Sequence, residues 1–156
     1  MKKSDSNVVN LFEQSNQGVQ KIVLIDSMKM KRGGAISNPV LAYETWGKMN
    51  ESRDNIVIIL TGLSASSHVA SHSSNPNPGW WEGIVGPDKA IDTNKFYVVC
   101  INSLGSCFGS TGPASLNEIT GEPFRLTFPE LTIDDMATAT KLLLDKLKIE
   151  QINTLI

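Results

Sequence analysis

Two early stretches alternate apolar and polar positions with period two. They are VQKIVLI (Val19–Ile25) and PVLAYETWG (Pro39–Gly47), both rich in β-branched and aromatic residues. The intervening KRGGAISN supplies turn residues, so the two predict an antiparallel pair of strands. NIVIILTG (Asn55–Gly62) differs, because Ile56 to Leu60 is uninterruptedly apolar, and KFYVVCIN (Lys95–Asn102) is a second run of that kind. Such runs fit strands covered on both faces, as in a parallel sheet. After FPEL, Thr132 with Asp135 three residues on forms a capping-box pattern. Ile133, Met136, Ala137, Thr140, Leu143, Leu144 and Leu147 then recur at spacings of three and four, which predicts a core-packing helix of about 16 residues. IEQINTLI at 149–156 reads as the opening of another buried strand with no turn signal behind it.

Strands separated by crossovers, with an antiparallel pair at one edge, make an α/β sheet. The polar first 18 residues read as a tail and residues 19–156 as one domain, left incomplete by the abrupt final strand. A length of 156 residues with 40% hydrophobic and 19% charged residues fits a globular chain and excludes global disorder. The net charge of −2, with no basic stripe, argues against nucleic acid and acidic membranes as partners. MKKSDSNVVNLFEQSNQG has no apolar core and does not read as a secretory signal, and no segment approaches a membrane span. Cys100 and Cys107 suit neither a disulfide framework nor a metal site. A cytoplasmic location is the expectation.

Candidate chemistry gathers in the two long Gly-, Ser- and Pro-rich segments that leave the buried strands. Ligands in open α/β sheets collect outside the carboxyl ends of strands. TGLSASSH follows Leu60 directly, and a tight turn there would aim backbone N–H groups at an oxyanion. His68 and His72 share that loop at HxxxH spacing. With no helix to align them and no carboxylate or thiol nearby in sequence, no metal is expected. GSCFG imitates a nucleophile elbow around Cys107, but Gly112-Pro113 cannot carry the helix an elbow requires, and GLSAS fails for the same reason. A Ser64–His68 pair acting alone is equally poor. Trp80 and Trp81, on a short helix, would bury at least one ring against the sheet. The loops offer oxyanion-type walls without a persuasive nucleophile.

LAYETWG, PGWWEGIVGPDKAIDT, VVCINSLGSCFGSTGPASLN and FPELTIDDM resemble the amino-terminal half of the homoserine and serine O-acyltransferases. The resemblance runs from about Arg32 to Ile156 and implies an α/β-hydrolase fold. It implies acyl transfer from coenzyme A to an amino-acid hydroxyl by double displacement, through a serine in an elbow with a histidine base and an aspartate. That elbow would follow INTLI, so the triad is expected beyond Ile156 and no catalytic residue within the chain, which alone should be inactive. Leu63 would donate one oxyanion-hole N–H, and Gly62, Leu63, Ser64 and Ala65 would form the specificity segment. His68 matches a family histidine that is not the triad base.

Homoserine acetyltransferases usually read H-A-L-[ST]-G-D where this chain has TGLSAS. The T-G-L-S form, with NSLGSC and PFRLTFPEL, looks more like the branch that succinylates serine on the way to cysteine. The resemblance thus implies L-serine with succinyl-CoA as co-substrate. L-homoserine with acetyl- or succinyl-CoA, as in methionine biosynthesis, is the alternative. No permanently bound cofactor is implied. Family dimers and a separate carboxyl-terminal half are the implied partners. A non-catalytic acyl-CoA-binding remnant is the reading of another class.

Overall fold

The computed structural model describes residues 19–156 apart from Leu63; the polar tail therefore lies outside the described residues. Its elements are β1 (Gln20–Val23), β2 (Ser27–Lys29), β3 (Ala35–Ser37), β4 (Val40–Trp46), β5 (Ile56–Leu60), β6 (Val85–Gly86) and β7 (Ile91–Asp92). There follow β8 (Tyr97–Ile101), β9 (Leu116–Asn117), β10 (Glu122–Pro123), a 3-10 turn at Arg125–Thr127, α1 (Ile133–Lys146) and β11 (Thr154–Leu155). The main sheet has the order β1-β4-β8-β5-β11. Strands β1, β4 and β8 are joined antiparallel, whereas β8, β5 and β11 run parallel.

The unbroken apolar runs are explained by two cores. Side chains alternate across a strand, so Ile56, Ile58, Val99 and Ile101 join Leu41 and Tyr43 beneath α1, packed with Ala139 and Leu143. Val57, Ile59, Val98 and Cys100 face the other way, with Trp46, Val69 and Val85. Each fully buried isoleucine or valine contributes on the order of 1.5–3 kcal/mol. The expected antiparallel pair is present, with Val23 opposite Val40. The intervening segment is more than a turn, because β2 and β3 pair as a hairpin closed where Gly33 and Gly34 adopt φ of +99° and +81°.

Three expectations need correction. Helix α1 has its capping box, Asp135 N–H to Thr132 Oγ1 and Thr132 N–H to Asp135 Oδ2, but spans 14 residues. Its buried stripe is Asp135, Ala139 and Leu143, while Ile133 is 79% exposed and Ala137 is also exposed. The helix is apolar around more than one face, and only the face toward the sheet is covered. INTLI does enter the sheet, with Ile156 N–H donating to Ile58 and Leu60 N–H to Ile156. Its side chains are exposed, however, because β11 is an edge strand among the described residues. Lastly, Trp80 and Trp81 lie on turns, not on a helix; Trp81 packs on the second core and Trp80 stays 43% exposed. Among the described residues no helix is long and apolar enough to cross a membrane.

Candidate functional site

The parallel strands β5 and β8 end side by side, and Thr61 Oγ1 donates to Ile101 O at 3.0 Å to tie the two exits together. The chain leaving β5 and the chain leaving β8 wall a cavity of about 780 Å³. Thr61 and Gly62 line one side, Ser103 to Cys107 another, and Phe128, Leu131 and Met136 the third. A side chain at Gly62 would meet open space, so its backbone is accessible from the cavity. Gly105 is held at φ +89°, and a Cβ there would come within 2.7 Å of Leu131. Backbone that tight favours glycine alone.

Behind the cavity, two buried polar side chains hold the loops in place. Asn102 is fully buried at the end of β8. Its Oδ1 accepts from Ser67 N–H at 2.6 Å, and its Nδ2 donates to Ser67 Oγ at 3.0 Å and to Phe108 O at 2.8 Å. One amide thereby fastens the loop after β5 to the loop after β8. Glu44, also fully buried, projects from the β4 face that carries Trp46. Its Oε1 accepts from Ser67 Oγ at 3.0 Å, and its Oε2 lies 2.8 Å from both His68 Nδ1 and His72 Nε2. A buried carboxylate is tolerable only with such partners. Burial, with Glu44 across the strand pair as a second cause, pushes the Cys100 thiol far up, so it stays protonated.

Leu63 lies outside the described residues. The rest of the expected specificity segment is in view: Gly62 and Ser64 are exposed and Ala65 half-buried, but only Gly62 lines the cavity. Cys107 is exposed at the same cavity, and turns rather than a helix follow it, as the Gly-Pro pair requires. His68 cannot serve Ser64 as a base, because Glu44 occupies one ring nitrogen and Asn77 O, at 2.8 Å, the other. The expectation of no metal rested on the absence of an aligning helix and of a nearby carboxylate or thiol, and Glu44 removes the second ground. Neither Glu44 nor Asn102 figures among the candidates read from the sequence. The available signal was a charged residue at an inward position of VLAYETW, between Ala42 and Trp46.

No family model matches the chain. It is 57% identical over 118 residues to an L-serine/homoserine O-acetyltransferase of Streptomyces lavendulae, covering 76% of this chain and 32% of that protein. It is 50% identical over 139 residues to a serine O-succinyltransferase of Xanthomonas campestris, covering 89% of this chain and 37% of that protein. Among solved structures, the homoserine O-acetyltransferase from Bacillus anthracis superposes with a TM-score of 0.78 at 31% identity, over 88% of this chain and 38% of that one. Esterase E22 gives 0.76 at 35% identity, over 88% and 40%. The chain thus spans about a third of the length of the curated relatives it matches. Over the stretch it spans, the chain is similar to the amino-terminal part of the homoserine and serine O-acyltransferases and carries the amino-terminal part of an α/β-hydrolase fold.

Proposed function

We propose that this chain supplies the oxyanion-hole side of an acyl-CoA-dependent serine O-succinyltransferase. The observation that carries the reading is the cavity at the carboxyl ends of β5 and β8, rimmed by the open backbone at Gly62. A carbonyl seated there would meet backbone N–H groups held by the Asn102 and Glu44 networks, and Leu63 N–H is the proposed donor. Donors fixed before the reaction stabilise a developing oxyanion without reorganising. Acyl transfer then takes place on a serine outside residues 1–156: its hydroxyl attacks the thioester, the CoA thiol leaves, and the acyl group passes to the L-serine hydroxyl. Gly62 to Ala65 select the acceptor. The remaining elements come from a carboxyl-terminal half, covalently joined or separate.

A second reading, acetylation of L-serine or L-homoserine, is favoured by the similarity to the Streptomyces lavendulae protein. One experiment separates the two. The chain is joined to the carboxyl-terminal remainder of the Xanthomonas campestris relative, and in parallel to that of the Streptomyces lavendulae one. CoA release is followed with serine or homoserine and with succinyl- or acetyl-CoA. Succinyl transfer to serine by both chimeras is the expected result. Acetyl transfer from both would establish the second reading, and folded chimeras that release no CoA would refute acyl transfer altogether.

A further inference from the structure

The side chains of Glu44, His68 and His72 converge on one buried carboxylate oxygen. His68 Nε2 faces the Asn77 carbonyl, which only accepts, so that nitrogen carries a proton. His68 Nδ1 lies 2.8 Å from Glu44 Oε2 and 3.3 Å from Asn75 Nδ2, an amide donor. His72 Nδ1 accepts from Ser74 N–H at 3.3 Å, which leaves its proton on Nε2, aimed at the same Glu44 oxygen. Both imidazoles thus aim one ring nitrogen at the same carboxylate oxygen, Glu44 Oε2, the convergence that a metal ion requires. The proton assignments follow from the network of partners.

We propose that Glu44, His68 and His72 form a site for a divalent transition-metal ion of the zinc class. Two imidazole nitrogens and a carboxylate oxygen are a set that zinc takes with a fourth position left to water. The three ligating atoms lie within 4.8 Å of one another. Around a tetrahedral zinc they would stand roughly 3.3 Å apart, so each 2.8 Å imidazole–carboxylate contact opens by about half an ångström. The outer partners are already in place. His68 keeps its Nε2–H on Asn77 O, the arrangement that orients a ligating histidine, and Glu44 keeps its Ser67 hydrogen bond on Oε1. Binding displaces two long hydrogen bonds, Ser74 N–H to His72 Nδ1 at an exposed turn and the buried Asn75 Nδ2 to His68 Nδ1, besides the two imidazole–carboxylate contacts that the ion replaces. Side-chain exposures of 12% for His68 and 16% for His72, against none for Glu44, leave a path for the ion from the loop side. Bound there, the ion staples the segment 67–72 to β4. The proposal does not depend on acyl transfer.

The test is calorimetric titration of the 156-residue chain with zinc chloride, repeated with cobalt chloride and read by visible absorption. The expected result is saturable binding of one ion per chain, with the intense cobalt bands of a tetrahedral site. Cys107→Ser should leave both unchanged, because that exposed thiol is not among the grouped ligands. His72→Gln should abolish binding over the same concentration range, and Ser67→Ala should weaken it about 10–100-fold. His72 is partly exposed, so its variant is expected to fold, and circular dichroism checks this directly. Absence of one-to-one binding, or binding that persists in folded His72→Gln, would overturn the proposal.

Discussion

At the scale of single residues, Asn102 concentrates more structural consequence than any other side chain around the cavity. Its amide satisfies Ser67 N–H, Ser67 Oγ and Phe108 O at once, all in buried or half-buried surroundings. Removing one partner of a buried hydrogen bond leaves the other unsatisfied, at about 1–3 kcal/mol for each group. Asn102→Ala is therefore expected to lower unfolding free energy by about 2 kcal/mol or more. It should also raise hydrogen exchange at Ser67 more than at the β8 amides. Denaturant melts check the first point, and a loss below about 0.5 kcal/mol would show that water replaces the amide without penalty. Asn102→Asp keeps the acceptor for Ser67 N–H but turns both donated bonds into acceptor–acceptor contacts at a buried site, and should cost at least as much as Asn102→Ala.

At the scale of elements, the loop between β5 and β6 is held at its far end by Glu82. That carboxylate accepts from Ser71 N–H, Ser71 Oγ and Gly79 N–H and pairs with Lys89. The Gly79 and Ser71 amides hold the carboxyl down at about 2, against an ordinary value of 4.5. A carboxyl depressed by folding contributes stability that is fully present above its unfolded value and lost as pH falls through the folded one. The contribution should be complete above about pH 4.5 and gone near pH 2. Glu82→Gln should remove that acid-side dependence and hold neutral stability near the level the native protein keeps at pH 2, a modest loss because the side chain is about a third exposed. Melting curves between pH 2 and 6 for both proteins check it, and parallel curves would exclude the assigned role. Elements are also the scale at which sequence was most legible. The runs Ile56–Leu60 and Tyr97–Ile101 are apolar because both sheet faces are covered, and the Thr132 cap is local chemistry. Which face of α1 is buried was not legible, because Ile133 and Ala137 extend the apolar arc and only tertiary packing chooses within it. The Glu44 cluster stayed hidden because its members lie 24 and 28 residues apart in sequence. Only the pairing of β4 with β8 brings that carboxylate under the loop.

At the scale of the whole molecule, part of the exposed apolar surface lies along an open edge of the sheet. Leu155 is 56% exposed, Ile156 44% and Leu60 42%, all at or beside the β11 edge of the sheet. An open, apolar strand edge is a template for pairing with another chain. The 156-residue chain is expected to self-associate with rising concentration. Leu155→Lys, which places a charge on the edge without touching either core, should suppress that association. Light scattering across a dilution series reads the effect; equal scattering from both proteins would mean that the edge is not the sticky surface.

The strand order has a further consequence, for the newborn chain. Strand β8 lies between β4 and β5 although both precede it in sequence. As the polypeptide emerges from a ribosome, β4 and β5 are free before the strand that belongs between them exists. Roughly forty residues separate the end of β5 from the end of β8, so at about 5–20 residues per second the gap lasts some 2–8 s. For those seconds Leu41, Tyr43, Ile56 and Ile58 have no central strand to pack beside, and Glu44 has no settled place. Synthesis pace through residues 61–101 thus bears on how much of the chain reaches its native state.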